Sequence, residues 1–336
     1  MRKIILLAIL LCGCQTHQLY KDTQVLMGTF VEVTSPEKKA AGIVFAEIKR
    51  MEALLSKYKP DSEISKLNAL GKIKASPEVF YVIKKAKEFS EITDGAFDIT
   101  VGPLMDLWGF TDKNYRLPDK EEIKQALQYT GADKIILDED KFVVQFAVRG
   151  VRVDLGAIAK GYILDCAAGK LKESGVSSCL INAGGQVIAL GDKPVRQWFG
   201  FPHSQSHKFG APWKVAIRNP RKPQGNGLSS DRQSHSSGFS GYLELKARSV
   251  STSGDYEQYF VIEGRRYAHI LNPKTGYPVD NGILSVTVVA RSGLVADALS
   301  TSIFVLGRHK GGELAAKYFP GAEVRIIEEK DVRDIK

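Results

Sequence analysis

Apolar and polar positions alternate along residues 24–34, the period of a half-buried strand. The period then lengthens. Ala41, Val44, Phe45, Ile48, Met51 and Leu55 fall on one face of a predicted helix. A second helix is predicted from Ser76-Pro77, an N-cap residue with proline at the first helical position, and its apolar face is Val79, Val82, Ile83, Ala86 and Phe89. A third covers residues 119–129. From Lys134 the pattern turns to strands, at 134–137, 142–147 and 151–155. A helix over 157–172 stops near Gly175. Strands follow at 179–190, 213–218, 242–247, 259–263 and 283–290, then helices at 294–306 and 311–319. Strands and helices mix without a regular βαβ beat, so the expected class is α+β, a single domain of mixed or antiparallel sheets with packed helices. No fixed-period repeat and no long linker divides the chain. Residues 219–241 break the pattern. They are rich in Ser, Gly and Arg, with Leu228 and Phe239 as the large apolar residues, and read as a long mobile surface loop.

The first residues change the picture. Arg2 and Lys3 precede an unbroken apolar run from Ile4 to Leu11, too short to span a bilayer as a mature helix. Leu11-Cys12-Gly13-Cys14 follows. A positive start, a short apolar core and small residues at the cut define a secretory signal. A cysteine directly after the small residue resembles a bacterial lipobox. The reading is a lipoprotein signal peptide at 1–13, a lipidated tether at 14–21 anchored through Cys14, and one domain at 22–336. The expected location is the periplasmic side of a bacterial membrane.

Globular proportions hold over the 336 residues, with 43% hydrophobic and 25% charged. Losing Arg2 and Lys3 lowers the formal charge from +9 to +7, mildly basic. There is no zinc-ligand spacing and no aromatic stacking motif, so nucleic acid is not an expected partner. Cys166 and Cys179 remain beside Cys14. An oxidising compartment permits a disulfide between them, and two small buried residues are the favoured alternative.

Four segments concentrate residues suited to chemistry. Thr93-Asp94-Gly95-Ala96-Phe97-Asp98-Ile99-Thr100 sets two acids around a glycine and an aromatic, although a helix stop with a turn would use the same residues. Asp154-Leu155-Gly156-Ala157-Ile158-Ala159-Lys160-Gly161-Tyr162 runs from strand to helix. Its backbone N–H groups and Lys160 suit a phosphate, and simple strand-to-helix packing is the other reading. The spacing is neither that of the P-loop nor GxGxxG. Ser251-Thr252-Ser253-Gly254-Asp255-Tyr256 offers hydroxyls to phosphate oxygens, Ser253 among them. Tyr267-Ala268-His269-Ile270-Leu271 precedes the turn Asn272-Pro273-Lys274-Thr275-Gly276. His269 is read in an apolar strand, where a histidine is commonly a satisfied core residue. By type it is also the best acid or base here. Lastly, Asp297 and Thr301 lie four apart in Ala296-Asp297-Ala298-Leu299-Ser300-Thr301, so they share a helix face as hard oxygen ligands suited to Mg²⁺. An acid favourably placed in a first helical turn is the bland reading of Asp297. Together the segments read as a pyrophosphate–metal site.

At these residues the chain resembles the ApbE family of FAD:protein FMN transferases. The matching pieces run in order from Met27-Gly28-Thr29 through Tyr58-Lys59-Pro60-Asp61-Ser62, residues 94–98, Leu107-Trp108-Gly109-Phe110, residues 154–162, Asn182-Ala183-Gly184-Gly185, and residues 251–256 and 267–276, to 296–301. The resemblance implies an α+β domain with FAD in a central cleft and Mg²⁺ at the pyrophosphate. It implies FAD contacts from Met27, Ala96, Phe97, Asp98, Asp154, Lys160 and Ile270. Asp297, Thr301 and the Ala157 carbonyl would hold the metal. It also implies transfer of FMN to a threonine or serine of an acceptor protein, often a subunit of a membrane redox pump, with release of AMP. His269 is the first choice of base and Asp154 the second. Residues 202–212 and 219–241 depart from the family by their length. The same site would serve an FAD pyrophosphatase using water, and a flavin-binding lipoprotein would hold FAD intact. The metal pair argues against pure storage.

Overall fold

Residues 283–290, Ile-Leu-Ser-Val-Thr-Val-Val-Ala, are almost continuously apolar, and the computed structural model shows why. Strand Ile283–Ala290 is buried at all eight positions, because the sheet it belongs to is covered on both faces. The structure describes residues 18–194, 210–221 and 239–333. The signal at 1–13, the first half of the 14–21 tether with Cys14, and the greater parts of the 202–212 and 219–241 stretches, lie outside the described residues.

The principal sheet has seven strands, in the order Tyr20–Leu26, Thr29–Ser35, Cys179–Ala183, Gln186–Leu190, Ser249–Gly254, Ile283–Ala290 and Glu323–Glu328. Every neighbouring pair is antiparallel. The period of two divides its residues between two cores. Val31, Val33, Ile181, Ile188, Val286 and Val288 join the main core under the helices Ala40–Leu55, Ala159–Glu173 and Gly293–Leu306. Val187, Ala189, Val250 and Val289 pack on the other face against Trp213, Ile217, Leu243 and Leu245 of the hairpin Trp213–Arg218/Phe239–Leu245. Each fully buried aliphatic side chain stabilises by roughly 1.5–3 kcal/mol. A third core gathers Leu104, Trp108, Phe110, Ile123, Phe260 and Leu271. There the Trp108 indole donates to the Gly276 carbonyl at 2.8 Å, which ties residues 107–110 to the turn at 272–276.

The α+β expectation holds, and the differences have local causes. The single strand expected over 24–34 is a hairpin, turned at Met27 (φ 52°) and Gly28 (φ 70°). That over 179–190 is likewise a hairpin, turned at Gly184 and Gly185. Residues 151–155 have the buried alternation of a strand without a strand partner. The Asn68 side-chain amide takes that place, accepting from the Val153 N–H at 2.7 Å and donating to its carbonyl at 2.9 Å. The following helix begins at Ala159 rather than 157, and that expected at 311–319 spans Arg308–Tyr318. Short elements had too few residues to show a period: helices Glu63–Leu70 and Gly102–Leu107, and strands Lys72–Lys74, Arg265–Ala268 and Glu323–Glu328. Cys166 and Cys179 are both free thiols, and burial raises them to about 11 and about 12. No described helix is long and apolar enough to cross a membrane.

Candidate functional site

Helices Ala159–Glu173 and Gly293–Leu306 cross in near-contact, and two glycines permit it. A Cβ on Gly161 would lie 2.0 Å from the Gly293 carbonyl oxygen, and one on Gly293 would lie 2.5 Å from that of Gly161. Asp165, one turn beyond Gly161, fixes the crossing. Its Oδ1 accepts from the Gly293 N–H at 2.6 Å, and its Oδ2 from the Leu294 N–H at 3.0 Å and the Ser292 hydroxyl at 2.7 Å. A carboxylate on three donors at a helix start satisfies groups the helix leaves orphaned. Burial still pushes the Asp165 carboxyl above its usual range. No motif flagged Asp165. Its i+4 spacing from Gly161 was the available signal.

That crossing delivers Asp297. Its Oδ2 accepts from the Gly161 N–H at 3.0 Å, and its Oδ1 from the Ser251 hydroxyl at 3.2 Å. It is buried, and burial raises its pKa although the charge of Lys160 opposes the shift. An ionised carboxylate has about four acceptor sites, so both oxygens keep capacity for a cation. In a regular helix the Gly161 N–H would bond the carbonyl four residues back, that of Ala157. It bonds Asp297 instead, which releases the Ala157 oxygen from that donor. Thr301, one turn beyond Asp297, completes a set of hard oxygens. Its hydroxyl is 3.0 Å from that of Ser253, which is 2.8 Å from that of Ser300. Ser249, Ser251 and Ser253 share one face of their strand, so a row of hydroxyls lies toward the helix that carries Asp297. Among the described residues no group of three or more His, Cys, Asp and Glu could hold a metal. A cation here would be held by a carboxylate, a hydroxyl and a carbonyl, with water and ligand phosphates completing its shell. That is the habit of Mg²⁺.

These residues line one cavity of about 270 Å³. Its wall includes Ala96, Phe97, Asp98, Asp154, Ala157, Lys160, Ser253, His269, Ile270, Asp297 and Thr301. Met27 is not part of the wall. It sits in the turn of a hairpin whose Phe30 carbonyl accepts from the Gly184 N–H at 3.3 Å, and Gly184 is part of the wall. At the helix that begins at Ala159, the Ala159 N–H donates to the Leu155 carbonyl at 2.8 Å and the Gly161 N–H to Asp297, so the positive group facing the cavity for an anionic ligand is Lys160. Asp98 caps the turn at Ile99–Val101. Its Oδ1 accepts from the Thr100 N–H at 2.7 Å and the Thr100 hydroxyl at 2.6 Å, and burial raises its pKa. Phe97, Ile270, Leu271 and Val305 supply an apolar side suited to a flat ring.

His269 lies one residue past strand Arg265–Ala268 rather than within a strand. Its Nδ1 is 3.1 Å from the Gln258 carbonyl. With the proton on Nδ1, that bond leaves Nε2 as an acceptor. Burial depresses the imidazole to about 4, so it is neutral at pH 7. Asp154 is held at both oxygens, by the Gly156 N–H at 2.8 Å and by Lys57 Nζ at 2.7 Å. Lys57 was not singled out in the sequence. It precedes the Tyr58-Lys59-Pro60 stretch, and nothing there marks it as the partner of a residue 97 positions away. Burial lowers its pKa, and the charge and hydrogen bond of Asp154 outweigh this and raise it.

The same architecture recurs in known proteins. The ApbE family model matches residues 27–326. The chain is 35% identical over 300 residues to an FAD:protein FMN transferase of Klebsiella pneumoniae (strain 342), covering 88% of this chain and 85% of that one. It is 32% identical over 333 residues to an FAD:protein FMN transferase of Haemophilus influenzae, covering 93% and 88%. Among solved structures, the ApbE protein of Thermotoga maritima superposes with a TM-score of 0.78 at 35% identity, over 93% of this chain and 95% of that one. The apo flavinyl transferase ApbE of Pseudomonas stutzeri does so with a TM-score of 0.75 at 32% identity, over 93% and 92%.

Proposed function

The chain belongs to the ApbE family, and from that membership we propose that it is an FAD:protein FMN transferase that requires Mg²⁺, esterifies a threonine or serine hydroxyl of an acceptor protein with FMN, and releases AMP. The observation that supports this best is the oxygen set of Asp297, Thr301 and the Ala157 carbonyl, gathered beside Lys160 in one cavity. Bound there, Mg²⁺ would supply charge stabilisation to phosphate oxygens as the anhydride breaks.

The side chains divide the remaining work. Lys160, in the cavity wall at the start of helix Ala159–Glu173, holds the diphosphate. Phe97, Ile270 and Leu271 exclude water on the flavin side. His269 Nε2 takes the proton of the acceptor hydroxyl as its oxygen bonds the phosphorus on the FMN side. The anhydride bond then breaks, and its bridging oxygen leaves with AMP. A pKa near 4 keeps His269 unprotonated and ready, though a weak base. Asp154, already committed to Lys57 and Gly156, is the poorer candidate. On this reading residues 1–13 are removed, Cys14 carries the lipid, residues 22–336 form the catalytic domain, and the acceptor is a membrane redox protein on the periplasmic side.

The test uses residues 18–336 with FAD and Mg²⁺, assayed for AMP with and without a threonine-bearing acceptor. AMP with FMN bound covalently to the acceptor is the expected result. AMP with only free FMN would make the chain a pyrophosphatase, and FAD left intact would sink the catalytic reading.

A further inference from the structure

The charged residues lining the cavity do not suit an anionic ligand by themselves. Asp98, Asp154, Glu257 and Asp297 are acidic, and Lys160 stands against them. Asp98 is turned onto the Thr100 N–H and hydroxyl, Asp297 onto the Gly161 N–H and the Ser251 hydroxyl, and Glu257 lies 3.7 Å from Arg218. Asp154 is the carboxylate at the start of the 154–160 loop, where phosphates would lie. Its counter-ion comes from behind the wall. Lys57 Nζ lies 2.7 Å from Asp154 Oδ2, with the two side chains only 12% and 14% exposed. Lys57 is anchored in turn by the Thr111 hydroxyl at 3.0 Å. Thr111 donates to Asp106, which pairs with Arg152 at 2.8 Å. A chain of fixed groups therefore holds the ammonium in one place.

The consequence is geometric as well as electrostatic. With Oδ2 fixed by Lys57, Oδ1 is turned onto the Gly156 N–H. The loop that leads into helix Ala159–Glu173 is pinned by that bond. We propose that Lys57 is a positioning residue for the flavin diphosphate: by neutralising and orienting Asp154, it lets an anionic ligand approach the 156–160 loop. This rests on reading the cavity as the FAD site. Lys57 acts only through Asp154, since its own side chain is not part of the cavity wall.

The test is FAD binding, followed by quenching of flavin fluorescence in the presence of Mg²⁺ and without acceptor, so that no catalysis is needed. Lys57→Met should weaken FAD binding about tenfold, within the coupling range of residues in contact. Lys57→Arg, which keeps the charge, should stay within about threefold of the unsubstituted protein. In an Asp154→Asn background, Lys57→Met should add nothing further, because the charge it neutralises is gone. Thermal melting identifies any variant that fails to fold, and Lys57→Gln then takes the place of Lys57→Met. A loss of equal size in both backgrounds, or no loss in the single variant, overturns the inference alone. An unsubstituted chain that binds no FAD overturns the reading of the cavity and this inference with it.

Discussion

Gly161→Ala is the most direct probe of how the site is held. The added methyl would sit 2.0 Å from the Gly293 carbonyl oxygen, 2.4 Å from its carbon and 2.8 Å from Asp297 Cβ. The first two are backbone atoms of another helix, so no rotamer relieves them. The helices must part by about an ångström, in an interior packed to crystal-like density. Overpacking of this kind costs about 1–3 kcal/mol or somewhat more. Alanine returns about 1 kcal/mol in helix propensity. A net loss of about 2 kcal/mol corresponds to a melting point lower by roughly 3 °C in a chain of this size. Gly169 provides the internal control. It lies in the same helix, and a methyl added there would have nothing within 4 Å, so Gly169→Ala keeps only the propensity gain and should raise the melting point. The displaced helix also carries Asp297 off the Gly161 N–H, so Mg²⁺ should stabilise the FAD complex of Gly161→Ala less than that of the unsubstituted protein. Thermal denaturation followed by circular dichroism, with and without Mg²⁺ and FAD, reads both effects. A Gly161→Ala protein that melts at or above the Gly169→Ala protein would refute the reasoning.

Other perturbations separate the remaining groups. Burial raises the folded-state pKa of Asp297, so the stability this group contributes is full below its unfolded value and is lost as pH rises through the folded value. Asp297→Asn should therefore melt no lower than the unsubstituted protein without metal at pH 7, while losing the Mg²⁺-dependent rise. A large drop without metal would contradict the assignment. His269→Gln should slow FMN transfer by about 10²–10⁴-fold. With a pKa near 4, the acid limb of the rate profile set by His269 should fall near pH 4, and an inflection near the ordinary histidine value would count against it. The same depressed value should make stability decline as pH falls from the unfolded histidine range toward 4, which acid melts would show. Asp165→Ala, which strips three donors of their acceptor at the start of helix Gly293–Leu306, should cost about 1–2 kcal/mol in denaturant unfolding.

Where the sequence was informative, a period or a punctuation mark carried the signal. Helix Ala40–Leu55 was legible because six apolar residues recur on one face, and Pro77–Ile92 because Ser76-Pro77 marks its start. The hairpins at Met27-Gly28 and Gly184-Gly185 were hidden, since strand-like apolar residues flank both turns closely and the positive φ that reverses each chain is a property of the backbone. Residues 151–155 misled because burial, not pairing, sets the alternation, and a side-chain amide there stands in for a neighbouring strand. At the site, types were legible and partners were not. Asp297 and Thr301 announce themselves by spacing within one helix. The lysine that holds Asp154, and the glycines that let two helices touch, act across separations that no local window covers.

Those separations order events in time. The bond from Gly161 to Asp297 spans 136 residues, and that from Ser251 to Asp297 spans 46. Until helix Gly293–Leu306 has left the ribosome, the nascent chain has its 154–160 loop but neither Asp297 nor Thr301. The oxygen set is therefore closed only after helix Gly293–Leu306 exists, by contacts of the kind that form slowly. A chain that stops short of that helix thus lacks the set altogether, and the cavity is assembled only when the fold is finished.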